Sequence, residues 1–84
     1  MKAFSIYISK ARSRAGLTQM EVAAELGYGT AQFISNWERG IAYPPRSKLV
    51  QLSTLYGVSA PVMAKLLLDE KIMKMKLDVV QAIS

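Results

Sequence analysis

Glycines at positions 16, 27, 40 and 57 divide the first two thirds of this 84-residue chain into short segments. Each glycine follows a stretch in which apolar residues recur at steps of three or four, the spacing of one face of an α-helix. Glycine readily adopts the left-handed conformation that ends a helix. The sequence therefore predicts a series of short helices, and the second, only about two turns long, is not stable alone.

Helix starts are also marked in the first half of the chain. The first predicted helix runs from Phe4 to Ala15. Thr18-Gln19-Met20-Glu21 has the form of a capping box, in which a hydroxyl and a carboxylate each bond a free backbone N–H, so the second helix should start at Gln19. Thr30 is a suitable N-cap for a third helix that runs through Glu38.

In the second half, two prolines mark helix starts. Pro45 suits the first position of a fourth helix, and Ser59 with Pro61 marks the start of a further helical stretch. The spacing leaves open whether this last stretch is one helix or two broken near Asp69. No segment alternates apolar and polar residues long enough to predict a strand. The predicted fold is all-α, with five to six helices in a single domain over residues 1–84.

The absence of certain residue types disfavours an enzyme. The chain has no cysteine and no histidine, which excludes disulfides and thiolate metal sites and removes the commonest general base. The carboxylates show no paired pattern, so we expect no catalytic site, metal or cofactor: Glu21, Glu25, Glu38, Asp69, Glu70 and Asp78. No apolar stretch is long enough to cross a bilayer, and no signal-peptide pattern follows Met1, so we expect a cytoplasmic location.

Positive charge is concentrated in the N-terminal two thirds. The formal net charge is +5, and residues 1–57 hold seven Lys or Arg against three Glu, whereas residues 58–84 hold four Lys against three acids. These counts give +4 and +1, and they favour an anionic partner for the first part of the chain.

The second and third predicted helices form a recognisable pair. Their apolar positions, with those of the fourth helix, form the predicted core: Val22, Ala23, Leu26, Ile34, Trp37, Leu49, Leu52 and Tyr56. Outward positions on the third helix carry Gln32, Ser35, Asn36 and Arg39. Two short helices joined by a glycine-containing turn, with amide side chains outside the second, fit the major groove of DNA, which is about 12 Å wide.

Several motifs at characteristic spacings resemble the Cro/phage-repressor helix-turn-helix family. They are Gly16-Leu17-Thr18-Gln19, Val22-Ala23, Leu26-Gly27, Ile34-Ser35-Asn36-Trp37-Glu38-Arg39-Gly40, Leu49, Leu52 and Gly57-Val58-Ser59. The resemblance covers about residues 4–68 and implies a lambda-repressor-like DNA-binding fold, with residues 69–84 as a helical extension.

The chain departs from the family pattern in two places. It is one residue longer between Gly27 and Gly40, with Gly29 as the natural extra residue, and its loop at 41–43 is apolar where polar residues are usual.

The resemblance assigns base-reading positions to Ala31, Gln32 and Asn36 on the third, or recognition, helix. Glutamine and asparagine can bond adenine N6 and N7 in two-pronged fashion, for about 1–3 kcal/mol of discrimination, whereas alanine offers only apolar contact. Contacts to the DNA backbone are assigned to Gln19, Thr30, Phe33, Ser35, Arg39, Arg46 and Lys48. For Phe33, packing beside the enlarged turn is the alternative. Arg12 and Glu38 match a salt-bridge pair that ties the first helix to the recognition helix.

A recognition helix of this type reads only about 4 to 5 base pairs, so such proteins usually bind as two-fold dimers with half-sites about 34 Å apart. Apolar residues of the last segment are candidates for the dimer surface, chiefly Ile72, Met75, Val79 and Ile83, with packing within the chain as the alternative. We expect double-stranded DNA and a second copy as partners, and no small-molecule ligand. The implied function is a dimeric repressor on a two-fold-symmetric operator; an antitoxin or protein adaptor, or a controller protein of a restriction-modification operon, is the alternative.

Overall fold

A computed structural model describes residues 3–83, which form five α-helices and contain no strand. The helices are α1 Ala3–Arg14, α2 Gln19–Glu25, α3 Gln32–Glu38, α4 Arg46–Tyr56 and α5 Ala60–Ile83. The all-α prediction is confirmed. The last segment is one helix of 24 residues without a break near Asp69. No helix within the described range is long and apolar enough to span a membrane.

The glycine that ends α2 shows why the helix ends were predictable. Gly27 has a φ of +83°, its N–H donates to the Ala24 carbonyl at 3.1 Å, and the Tyr28 N–H donates to the Ala23 carbonyl at 2.9 Å. This pair of bonds satisfies carbonyls that the helix would otherwise leave free. The same pattern ends α1, α3 and α4 at the other three predicted glycines.

The start of α2 is also as predicted. The Glu21 N–H donates to Thr18 Oγ1 at 3.0 Å, and the Thr18 N–H donates to Glu21 Oε1 at 2.8 Å, which completes the capping box. Hydrogen bonding of the Glu21 carboxylate to the Thr18 backbone N–H, and secondarily to the Thr18 hydroxyl, lowers the pKa of this carboxyl.

The predicted start of the recognition helix is wrong by one residue. Helix α3 begins at Gln32, with Ala31 as the preceding cap residue in a helical conformation, and Thr30 is not its N-cap. Instead, the Thr30 hydroxyl accepts from the Gln32 N–H at 3.3 Å, a bond to the residue two positions on that is typical of a turn. The turn after Gly27 therefore takes up one residue, Ala31, that the prediction gave to the helix. Helix α4 likewise begins one residue late, with Pro45 before its first residue.

All eight predicted core residues are buried. Five further residues complete the apolar core: Phe4, Ile8 and Ala11 from α1, and Met63 and Leu67 from α5. Helix α5 therefore contributes its first turns to the domain, and every described residue after Glu70 is exposed.

Glu70 is the last buried residue of α5. Its Oε1 accepts the Phe4 N–H at 3.0 Å, at the start of α1. A carboxylate is stabilising there because the first N–H groups of a helix are unsatisfied and carry a partial positive charge. Tyr43, in the loop before α4, lies beside it, and burial together with the Glu70 charge raises the pKa of the Tyr43 hydroxyl.

Tyr56 makes the stability of the fold sensitive to alkaline pH. Burial of its ring raises the pKa of its hydroxyl above the ordinary value of 10.0. The unfolded chain therefore loses this proton first, so the stabilisation is complete below pH 10 and declines above it, by up to about 1.4 kcal/mol per pH unit. Urea unfolding between pH 8 and pH 11 should show a smaller decline for Tyr56→Phe than for the wild type, and parallel curves would contradict this.

Candidate nucleic-acid interface

Helices α2 and α3 form the predicted helix-turn-helix. Val22, Ala23 and Leu26 from α2 and its C-cap, with Ile34 and Trp37 from α3, are all buried, which fixes one helix against the other. Burial of these faces leaves the opposite side of α3 toward solvent. This arrangement allows α3 to enter a groove while α2 lies behind it.

A partly buried salt bridge connects the start of the chain to the end of α3. Arg12 Nε lies 2.6 Å from Glu38 Oε2, and Arg12 Nη2 donates to Glu38 Oε1 at 3.0 Å. Arg12 Nη1 also donates to the Leu17 carbonyl at 2.8 Å. This fork joins α1, the loop before α2, and α3, and the bonds to Glu38 raise the pKa of the Arg12 guanidinium.

Gln19 has a partner that the sequence did not indicate. Its Nε2 donates to Glu38 Oε1 at 3.1 Å, and its side chain is half-buried. The predicted phosphate contact would therefore come from a side chain already held against α3. Three helices thus meet at the Glu38 carboxylate, and α3 is fixed in position from behind.

Three polar side chains form a hydrogen-bonded row along the outer side of α3. Gln32 Nε2 donates to Asn36 Oδ1 at 2.8 Å, and Arg39 Nη2 donates to the same oxygen at 2.8 Å. Positions 32, 36 and 39 are separated by four and three residues, so they are neighbours on one helix face. Gln32 and Arg39 are exposed and Asn36 is half-exposed. The structure thus brings together two predicted base-reading residues and one predicted phosphate contact.

An aromatic stack closes the enlarged turn. The rings of Tyr28 and Phe33 stack at 4.5 Å with an interplanar angle of 25°, and Tyr28 meets the buried Trp37 edge-on at 5.9 Å. Phe33 is nevertheless 47 % exposed. It therefore packs beside the turn and also presents an apolar surface next to Gln32. The sequence reasoning missed Tyr28, whose only signal was an aromatic residue directly after a helix-ending glycine.

The remaining predicted backbone contacts are dispersed around α3. Lys48 Nζ donates to the Leu26 carbonyl at 2.8 Å and lies 5.3 Å from the Tyr28 ring centroid, so it stabilises the end of α2. Arg46, at the start of α4, and Thr30 are exposed, whereas Ser35 is half-buried. Ala31, the third predicted base-reading residue, is half-buried before α3.

The predicted dimerisation residues lie apart from the helix-turn-helix on the distal half of α5. Ile72, Met75, Val79 and Ile83 are all exposed, from 41 % to 80 %. Within residues 3–83, none of them belongs to the apolar core or to the partly buried residues packed against it. The alternative of packing within the chain is therefore not what the structure shows. No group of three or more potential metal ligands occurs among the described residues.

Comparison with known proteins agrees with this geometry. A family model described as a helix-turn-helix domain matches residues 3–66. The chain is 42 % identical over 52 residues to the HTH-type transcriptional regulator ImmR of Bacillus subtilis (strain 168), a match that covers 62 % of this chain and 40 % of that protein. The chain thus spans less than half of this relative. No solved structure gives a significant match. The motif spacing, the buried helix pair and the family match together show that the chain belongs to the Cro/phage-repressor-type, XRE-like family of helix-turn-helix proteins.

Proposed function

We propose that the protein is a DNA-binding transcription regulator that inserts α3 into the major groove. The observation that carries this proposal is the exposed row of Gln32, Asn36 and Arg39 on a helix that is fixed from behind by Glu38. Amide side chains can bond base edges, and a rigid backing keeps them in register with the groove. The similarity to a protein named as a transcriptional regulator supports the same function.

In this proposal, Gln32 and Asn36 contact base edges and Ala31 offers an apolar contact at the start of the helix. Arg39 and Arg46 bind phosphates, because both are exposed and lie at the end of α3 and the start of α4. Gln19, Thr30, Ser35, Phe33 and Lys48 make further backbone contacts. Of these, Lys48 is the most constrained, because one of its three donors is already used at the end of α2.

We further propose that the functional unit is a homodimer that binds a two-fold-symmetric operator and acts as a repressor by occupying it. Successive residues of a helix are about 100° apart, so the buried Met63, Leu67 and Glu70 define the inner side of α5. The four predicted dimerisation residues lie on the opposite side. An apolar face that points away from its own domain is suited to contact a second copy.

Selection of bound duplexes from a random DNA pool at near-physiological salt tests this function. Non-specific binding should be weak under these conditions, about 10⁻⁴ to 10⁻⁶ M, so enrichment reports sequence recognition. We expect a motif of two inverted half-sites whose centres are about 34 Å apart. Absence of any enriched motif would reject DNA reading and favour the alternative of a protein-binding module, such as an antitoxin or adaptor. An enriched single half-site would retain DNA reading and reject the dimer.

Replacing Gln32 by Ala should relax the motif at one base position in each half-site. The expected loss of discrimination is about 1–3 kcal/mol, because an amide that bonds a base edge is removed. Binding titrations on the selected site and on its single-base variants measure this effect. Equal weakening on the selected site and on random DNA would contradict base reading by Gln32.

A further inference from the structure

We propose that Asn36 reads its base pair only as a hydrogen-bond donor, and that Arg39 is the positioning residue that imposes this polarity. The inference rests on the proposed DNA-reading function and refines it. The resemblance assigned Asn36 to two-pronged adenine recognition, in which the amide must accept one hydrogen bond as well as donate one. The hydrogen bonds along α3 leave it no means of accepting.

Arg39 determines which way the Asn36 amide faces. A guanidinium has donors and no acceptor, so the Asn36 atom 2.8 Å from Arg39 Nη2 is the oxygen. Because that oxygen also lies 2.8 Å from the Gln32 side chain, the Gln32 atom that faces it is the amide nitrogen. The orientation of both amides therefore follows from one cation at the C-terminal end of the row.

The consequence is a fixed set of free donors and acceptors. A carbonyl oxygen has two lone pairs, and both of those on Asn36 Oδ1 are used, one of them in a charge-assisted bond. Asn36 thus presents only its NH₂ group, whereas Gln32 retains its Oε1 acceptor and one N–H donor. Guanine presents two acceptors, N7 and O6, in the major groove, and adenine presents one acceptor and one donor. Asn36 accordingly matches guanine, and Gln32 matches adenine.

Selected motifs of four variants, compared with the wild type, test this assignment. Asn36→Ala identifies the base pair that Asn36 contacts, as the position where preference is lost. Arg39→Met removes the cation that orients Asn36, and Arg39→Lys restores a donor at the same place. Arg46→Met is the matched control, because it removes one exposed positive charge that has no hydrogen bond to Asn36 in the row.

We expect a G·C pair at the Asn36 position in the wild type, preferred over A·T by at least about fivefold. In Arg39→Met this preference should fall below about twofold, with partial restoration in Arg39→Lys. Arg46→Met should weaken binding to all sequences and leave the motif unchanged.

Three results would overturn the inference while leaving the DNA-reading function intact. These are an A·T pair at the Asn36 position, a motif that Asn36→Ala does not relax, and an Arg39→Met motif identical to that of Arg46→Met. Failure of the wild type to enrich any motif would instead reject the proposed function itself, and the inference with it.

Discussion

Glu38→Gln should lower the free energy of unfolding by about 3–5 kcal/mol, as expected when one partner of a buried ion pair is removed. The Glu38 side chain is only 7 % exposed and accepts three hydrogen bonds, two from Arg12 and one from Gln19. Glutamine keeps the shape but removes the charge and replaces one accepting oxygen with a donating nitrogen. The Arg12 guanidinium then stays partly buried without its counter-ion. Urea unfolding followed by circular dichroism measures the loss.

Two further variants make this result interpretable. Glu25→Gln makes the same chemical change on an exposed residue of α2 and should alter stability by less than about 0.5 kcal/mol. The double variant Arg12→Met with Glu38→Leu should recover most of the loss, because apolar residues in place of a buried pair leave no unpaired charge. A loss below about 1 kcal/mol for Glu38→Gln would show that water screens the pair as at an ordinary surface.

The expected loss matters for function because domains of this size have only about 5–10 kcal/mol of stability. Glu38 also ends the helix that carries the candidate base-reading row. At about 100° per residue, Glu38 lies more than about 100° around the helix from the centre of the row, so the ion pair and the row occupy different sides of the same short helix. A polar junction therefore holds α3 from behind, in addition to the apolar contacts of Ile34 and Trp37.

The parts of the fold that the sequence predicted well depend on local chemistry. A hydroxyl three residues before a carboxylate forms the capping box at Thr18, and glycine with a positive φ ends α2 at Gly27. Both depend on backbone groups within a few residues, so a pattern suffices to identify them. The core was predictable for a related reason, since helical spacing alone separates inner from outer positions.

The parts that the sequence did not predict depend on competition between neighbours. Thr30 has the chemistry of an N-cap, but Ala31 takes the cap position, and the Thr30 hydroxyl accepts from the N–H of Gln32, the first residue of α3. Gln19 has the position of a phosphate contact, but Glu38 lies within reach of its amide. The sequence placed Gln32, Asn36 and Arg39 on the outer side of the helix. It did not show that Gln32 and Arg39 both donate a hydrogen bond to the Asn36 Oδ1.

Helix α5 shows a third kind of limit. The change from core to extension depends on where the other helices end, and Glu70 marks that point by accepting the N–H of Phe4 at the far end of the chain. A glutamate in an apolar stretch gave no such indication from sequence. Once its position is known, the inner and outer sides of α5 can be assigned, and the exposed apolar face beyond it becomes a surface that can be tested.

Substitutions on the exposed apolar face of α5 should have the second large effect, the loss of the dimer and of operator binding. The double variant Met75→Glu with Val79→Glu should be a monomer by sedimentation equilibrium and should bind the selected operator at least about 100-fold more weakly, because two linked half-sites gain this much or more from simultaneous binding. Met75 and Val79 are 64 % and 54 % exposed and outside the core, so the helix content by circular dichroism should be unchanged and stability should fall only by the concentration-dependent contribution of the dimer. The effect would then come from assembly and not from loss of the fold.

Lys74→Glu is the matched control, because it also lowers the net charge by two and lies on the opposite side of α5, as expected from the 100° step between residues. It should remain a dimer, and its operator affinity should exceed that of the double variant. If the double variant remains a dimer, the interface lies elsewhere in the protein. If the wild type is itself a monomer when bound to DNA, the outer face of α5 makes no homodimer contact. Either result would reject this face as the homodimer contact. A double variant that stays dimeric would do so because four introduced carboxylates at one two-fold interface repel one another and are incompatible with a stable apolar interface.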